Sequence, residues 1–169
     1  MTSAAFQSTV NITLGYGVIG EMILKTPHRA DSLTLDSVGG TIGNFFTKSN
    51  TTGVATQGGT IGTGIVAAGF LVNPKVYASL GASSGTLDPT LVLPPYAQGE
   101  FLVEGDIVVN LATAGNIGDQ VEYNETTGVL SAVAPGGSAT TGNALITGAV
   151  VTAYTSAAGL VAIHVNLNA

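Results

Sequence analysis

Between Pro94 and Val133 the chain breaks into short runs of alternating apolar and polar residues, and no longer apolar period develops. Val121 and Tyr123 fall on one face of a pleat, whereas Gln120, Glu122 and Asn124 fall on the other. Gly105-Asp106, Ala114-Gly115-Asn116 and Thr126-Thr127-Gly128 separate the runs as turns. A half-buried antiparallel sheet needs this pattern, and it sets the fold class. The same stretch holds carboxylates but no cation, so its acids invite a check for chemistry.

Composition points the same way. Apolar residues make up 45% of the 169, enough for a sizeable core in one domain. Charged residues are only 8%, against roughly 25% in an average soluble domain. The 24 glycines, with abundant Thr, Ser and Val, favour strands and turns over helices. Little charge remains to keep free copies apart, which suits a subunit whose surface is covered by partners, a rigid secreted β-protein, or a monomer whose Ser, Thr and Asn supply its polarity. Net charge is −6, and Lys25, Arg29, Lys48 and Lys75 are the only cations. Phosphate neutralisation needs clustered Lys and Arg, so nucleic acid is disfavoured as a partner, and anionic membrane likewise. With no cysteine, disulfides and thiolate metal sites are excluded. Residues 1–20 lack the basic and apolar regions of a signal peptide, and no apolar run reaches the ~18 residues of a membrane span. The Asn-x-Ser/Thr sequons at Asn11, Asn50 and Asn124 read as turn-forming asparagines.

Along the chain, residues 1–37 stand apart. Their apolar side chains are spread out, with no helical period, and Gly15, Gly17, Gly20 and Pro27 interrupt them. They read as an extended N-terminal arm with brief strand segments, of which ~23 extended residues span ~75 Å. Residues 38–169 read as the folded domain. Strands are expected at Thr41–Lys48, Gly53–Thr56 and Gly64–Val72, and a short strand or a helical turn at Val76–Leu80. A Pro- and Ser-rich loop follows over 81–98, packed through Leu91, Val92, Leu93 and Tyr96. Further strands are expected near 100–104, 106–111, 119–124, 128–133, 145–154 and 159–167. In the last of these Val161, Ile163, Val165 and Leu167 share one face. The architecture expected is all-β: an antiparallel β-barrel or sandwich with an extended arm and little helix.

Several motifs look like chemistry. Gly15-Tyr16-Gly17-Val18-Ile19-Gly20 is a literal G-x-G-x-x-G, but a dinucleotide site needs a helix after it and Pro27 follows too soon. Gly58 to Gly64 resembles a phosphate loop without its lysine, and reads instead as a strand crossing close to another backbone. Glu104, Asp106, Asp119 and Glu122 offer hard oxygens for Ca²⁺ or a glycosidase pair; solvated turn carboxylates are the simpler reading. His28 and His164 are too few for a His-based metal site. No G-x-S-x-G elbow is present, and Arg29 alone cannot serve a nucleotide hydrolase. No catalytic residue, cofactor or metal is expected, and the chain reads as a non-enzyme.

The order of features resembles the structural cement, or decoration, proteins of tailed-bacteriophage capsids. The matching pieces are GVIGEMILKTP, IGNFFTKSNTTGVATQGG, GIVAAGFLVNPKVYA, LVLPPYAQGEFLVEGDIVVNL, AGNIGDQVEYNETTGVLSA and ALITGAVVTAYTSAAGLVAIHVN, in that order. The resemblance implies an all-β domain on the outer surface of an icosahedral shell, in the virion. Its partners would be the major capsid protein and neighbouring copies of itself, with a homotrimer one arrangement. On this reading the arm reaches neighbouring subunits through Phe6, Val10, Ile12, Leu14, Tyr16, Ile19, Met22 and Leu24. A phage tail or head-fibre component, or a carbohydrate-binding β-module, is the alternative, and would present exposed aromatics on one face.

Overall fold

A computed structural model describes residues 17–23, 26–74 and 92–167. Among these, twelve strands occur and no helix: β1 (Met22–Ile23), β2 (Arg29–Thr34), β3 (Gly40–Thr41), β4 (Phe45–Ser49), β5 (Ala55–Gln57) and β6 (Ile65–Leu71), then β7 (Val92–Leu93), β8 (Gln98–Leu111), β9 (Gln120–Asn124), β10 (Leu130–Val133), β11 (Asn143–Val151) and β12 (Gly159–Asn166). Ten form one sheet, and β3 and β7 pair separately.

β8 is the axis of the molecule. Its 14 residues extend for ~46 Å at the usual rise per residue. Along one edge it pairs first with β6, at Phe101 and Leu102, and then with β12 from Glu104 to Leu111. Along the other it pairs with β2 from Gln98 to Glu104, with β1 at Asp106 and Ile107, and with β10 at Leu111. The sheet consequently closes on itself twice. One ring runs β8–β12–β11–β9–β10 and returns to β8 through the parallel Leu130–Leu111 pair. The other runs β8–β6–β4–β5 and returns through the bridge from Ala55 to Leu35, just past β2.

Each ring has its own core, and consecutive side chains divide between the two because the pleat alternates. Phe45 enters the first core against Phe70 and Tyr123, with ring centroids 5.3 and 4.4 Å away. Phe46, next in sequence, enters the second against Phe101 at 5.1 Å. β8 itself changes parity. Phe101 faces the second core and Leu102 the first, yet Ile107, Val109 and Leu111, all odd-numbered, also face the first. A one-residue bulge opposite Arg29 and Ala30 makes the shift, because Arg29 pairs with Glu104 but Ala30 with Leu102. Gly105 beside it sits at φ +127°, and a Cβ there would lie 2.9 Å from His28 Cβ.

The all-β architecture is as the sequence indicates; four local expectations change. The two strands separated at Gly105 are one strand with a bulge. Thr41–Lys48 divides into β3 and β4, because Gly43 turns the chain at φ +80°. Met22–Ile23 and Arg29–Thr34, which fall in the stretch read as the arm, pair with β8 as strands of the sheet. In the 81–98 loop Leu93 is packed, but Val92 and Tyr96 are exposed. The short strand or helical turn expected at Val76–Leu80 lies outside the described residues.

Candidate functional site

Residues 17–23 and 26–28 form a strap along the edge of β8. The Gly20 amide donates to the Val108 carbonyl (2.8 Å), and the Val108 amide donates back to the Glu21 carbonyl (2.9 Å). The Asn73 amide donates to the Gly20 carbonyl, and the Asn73 side chain to that of Ile19 (3.2 Å). Of the arm residues expected to anchor a partner, Ile19 packs against the second core and Met22 against the first. Both are half-buried in this chain's own barrel. Phe6, Val10, Ile12, Leu14, Tyr16 and Leu24 lie outside the described residues.

Where the strap crosses β8, Asp106 uses both carboxylate oxygens. The Thr26 hydroxyl donates to one at 3.0 Å, and the His164 Nδ1 lies 2.9 Å from the other. Register sets the second contact, since His164 of β12 stands directly opposite Asp106. His28 lies over Gly105 in the same crossing. Asp119 and Glu122 support the local backbone. Asp119 accepts from the Asn116 amide (2.8 Å) and closes a turn. Glu122 is 2% exposed and accepts from the Thr140 amide and the Asn143 side chain, both at 2.8 Å. Alternation assigns Glu122 to a polar outer face; residues 140–143 cover it and supply its donors instead. Among the described residues, no three His, Asp or Glu side chains converge as a metal site would require.

The glycine motifs resolve as backbone geometry. Gly20 turns at φ +77° and leads into β1, with no helix N-terminus beside it. Gly58 and Gly59 pass close to the β9–β10 turn, as expected for a close crossing: the Gly58 amide bonds to Phe45 and the Gly59 amide to Glu125. A Cβ on Gly58 would lie 2.8 Å from the Glu125 carbonyl oxygen. The Gly59 carbonyl accepts from the Tyr123 hydroxyl at 2.9 Å. Burial pushes the Tyr123 phenol above its ordinary range; the Glu125 carboxylate adds to this, and a backbone hydrogen bond at Ile61 opposes it. Asn50 and Asn124 act as turn formers. The Asn124 side-chain oxygen accepts from the amides of Thr126 and Thr127, and that of Asn50 from the Thr51 hydroxyl.

Two exposed apolar surfaces had no clear signal in the sequence. Tyr96 is 71% exposed and holds φ at +60°, rare for a non-glycine residue; its amide bonds to the Asp36 carbonyl beside the exposed Val38. Nearby, a groove of about 450 Å³ is lined by Val38, Gly40, Thr41, Gln57, Val92 and Thr127, among others. Gln57 is committed there to the Thr41 amide and the Thr127 carbonyl. The second surface carries Ile117 (71% exposed) and Tyr154 (63%) on two loops tied by reciprocal Gly115–Thr155 backbone bonds. It lies beyond the other end of β8. A large exposed aliphatic or aromatic side chain on a rigid loop is suited to contact, not to catalysis.

Residues 6–166 match the family described as structural cement protein (E217 gp24/Pam3 gp6). No curated protein matches. A chain of the solved capsid of Myoviridae phage XM1 shares the fold with a TM-score of 0.64 at 18% identity, over 96% of this chain and 98% of that one.

Proposed function

This chain belongs to the phage structural cement family, and from that premise we propose that it binds the outer face of an assembled capsid and joins neighbouring subunits through its N-terminal residues. A cement protein of a phage associates with capsid proteins and is part of the virion. The single observation that carries the finer reading is the strap. By Gly20 the chain is already hydrogen-bonded to the barrel, so everything before Gly17 is attached through one fixed edge. Those preceding residues carry Val10, Ile12, Leu14 and Tyr16 at every second position, which on an extended backbone is one apolar face. Such a segment can add a strand to an exposed sheet edge of a partner, backbone bonds giving affinity and alternate side chains giving register. Extended, 16 residues reach ~50 Å, enough to contact a neighbouring subunit.

Stable contacts of this kind typically bury ~1,600 Å². Repetition over a shell multiplies a modest energy per copy. No catalytic step belongs to this function. Neighbouring copies on the shell are the second partner, with a trimer one arrangement that sends arms to separate neighbours.

Co-sedimentation with empty capsids tests the reading. The full chain should pellet with capsids, whereas a chain lacking residues 1–16 should stay in the supernatant with an unchanged circular dichroism spectrum. Normal occupancy by the truncated chain would remove the arm from the mechanism.

A further inference from the structure

The geometry points to Asp106 as a clasp that fastens the strap to the barrel and thereby fixes how the N-terminal residues leave it. Three observations meet at this point. The strap contacts β8 through the Gly20–Val108–Glu21 backbone bonds, through the short β1 ladder that sets Met22 opposite Ile107 and Ile23 opposite Asp106, and at the crossing over Gly105. At the crossing the Thr26 hydroxyl donates to Asp106 at 3.0 Å, a side-chain link from the strap to β8. The same carboxylate is held from the barrel side by His164 at 2.9 Å, which fixes its orientation towards Thr26. A carboxylate joining a strap hydroxyl to a strand imidazole forms a three-element link from β12 through β8 to the strap.

The local backbone is built for it. The unbroken β8–β12 ladder aligns Asp106 with His164, and Gly105 lets His28 lie against β8. The Asp106 side chain is 14% exposed and that of His164 40%, so the link lies at the rim of the barrel and not within either core. Neither Thr26 nor Asp106 belongs to the core clusters. Loss of the link should therefore free the strap while leaving the barrel closed. Hydrogen bonds to a carboxylate are stronger than neutral ones, so one such link can govern local opening.

Amide hydrogen exchange on the full-length chain tests this. Thr26→Val keeps the side-chain shape and removes the hydroxyl. It should speed exchange of the Gly20 and Val108 amides about tenfold, with Tyr123 in β9 unchanged. Asp106→Ala should act on the same amides to a greater degree. Exchange at Gly20 and Val108 equal to the parent in both variants would overturn the clasp. So would a uniform acceleration that includes Tyr123, which would make Asp106 a general support of the barrel. Any consequence for capsids rests on the proposed attachment through residues 1–16, and a separate reading isolates it. A loosened strap with normal capsid occupancy would uphold the clasp and count against attachment through the arm.

Discussion

Glu122 is buried, so without its carboxylate the Thr140 amide and the Asn143 side chain would lose their acceptor at a position that water reaches poorly. Glu122→Ala is expected to lower stability by about 2–4 kcal/mol, and Glu122→Gln by about half as much, since one acceptor survives. Urea unfolding at constant m distinguishes this from a change in the denatured state. Tyr123 makes a second residue-scale case. Its hydroxyl donates to the Gly59 carbonyl, so Tyr123→Phe should cost about 1 kcal/mol at neutral pH. Its phenol is raised chiefly by burial, so the folded state holds the proton longer than the unfolded chain. That contribution is complete below the ordinary tyrosine value of about 10 and is lost as pH rises through the higher folded value. Urea midpoints should thus fall in alkaline solution in the parent and fall less in Tyr123→Phe. Equal alkaline slopes would show that Tyr123 is not the group responsible.

Strand β8 shows why some elements could be read from the sequence and others could not. Val161, Ile163 and Val165 line one core from a regular strand, so alternation identifies their face directly. In β8 the pattern shifts parity at the bulge, and a period of two then looks like two strands. Gly105 was the visible mark of that irregularity, though not of its consequence. β2 gave no comparable sign. Arg29-Ala30-Asp31-Ser32-Leu33-Thr34 is half exposed and pairs with residues far along the chain, and a local pattern does not encode such a partner. Glu122 was misplaced for a similar reason, because its cover comes from residues 140–143, beyond the next hairpin. Gly105→Ala tests the bulge. Its added methyl meets His28 at 2.9 Å in a left-handed backbone, so a loss of about 2 kcal/mol or more is expected. Gly136→Ala, at φ +75° but with nothing within 4 Å, should cost about 1 kcal/mol. Equal losses in the two variants, measured by denaturant unfolding, would mean that the crossing can yield to a side chain.

At the scale of the whole molecule, charge is divided between the parts. No side chain before Glu21 carries one, whereas the carboxylates Glu100, Glu104 and Asp106 lie along β8 and Glu125 lies at the β9–β10 turn. The exposed loops bearing Ile117 and Tyr154 are also neutral; the one acid there, Asp119, is buried in its turn. If attachment is through the neutral N-terminal segment, Coulomb forces contribute little to it. Screening lengths fall from ~14 Å to ~4 Å between about 0.05 and 0.5 M salt, enough to abolish steering between exposed charges. Capsid occupancy at fixed protein concentration should accordingly change less than about twofold over that range, because burial of apolar surface does not depend on screening. Exchanging Val10 and Ile12 together for Ser should lower occupancy at both salt concentrations alike. A loss of tenfold or more on adding salt to the parent would instead place the contact on the acidic outer face of β8, against a basic surface of the shell, and Glu100→Gln with Glu104→Gln would then be the variants to weaken binding.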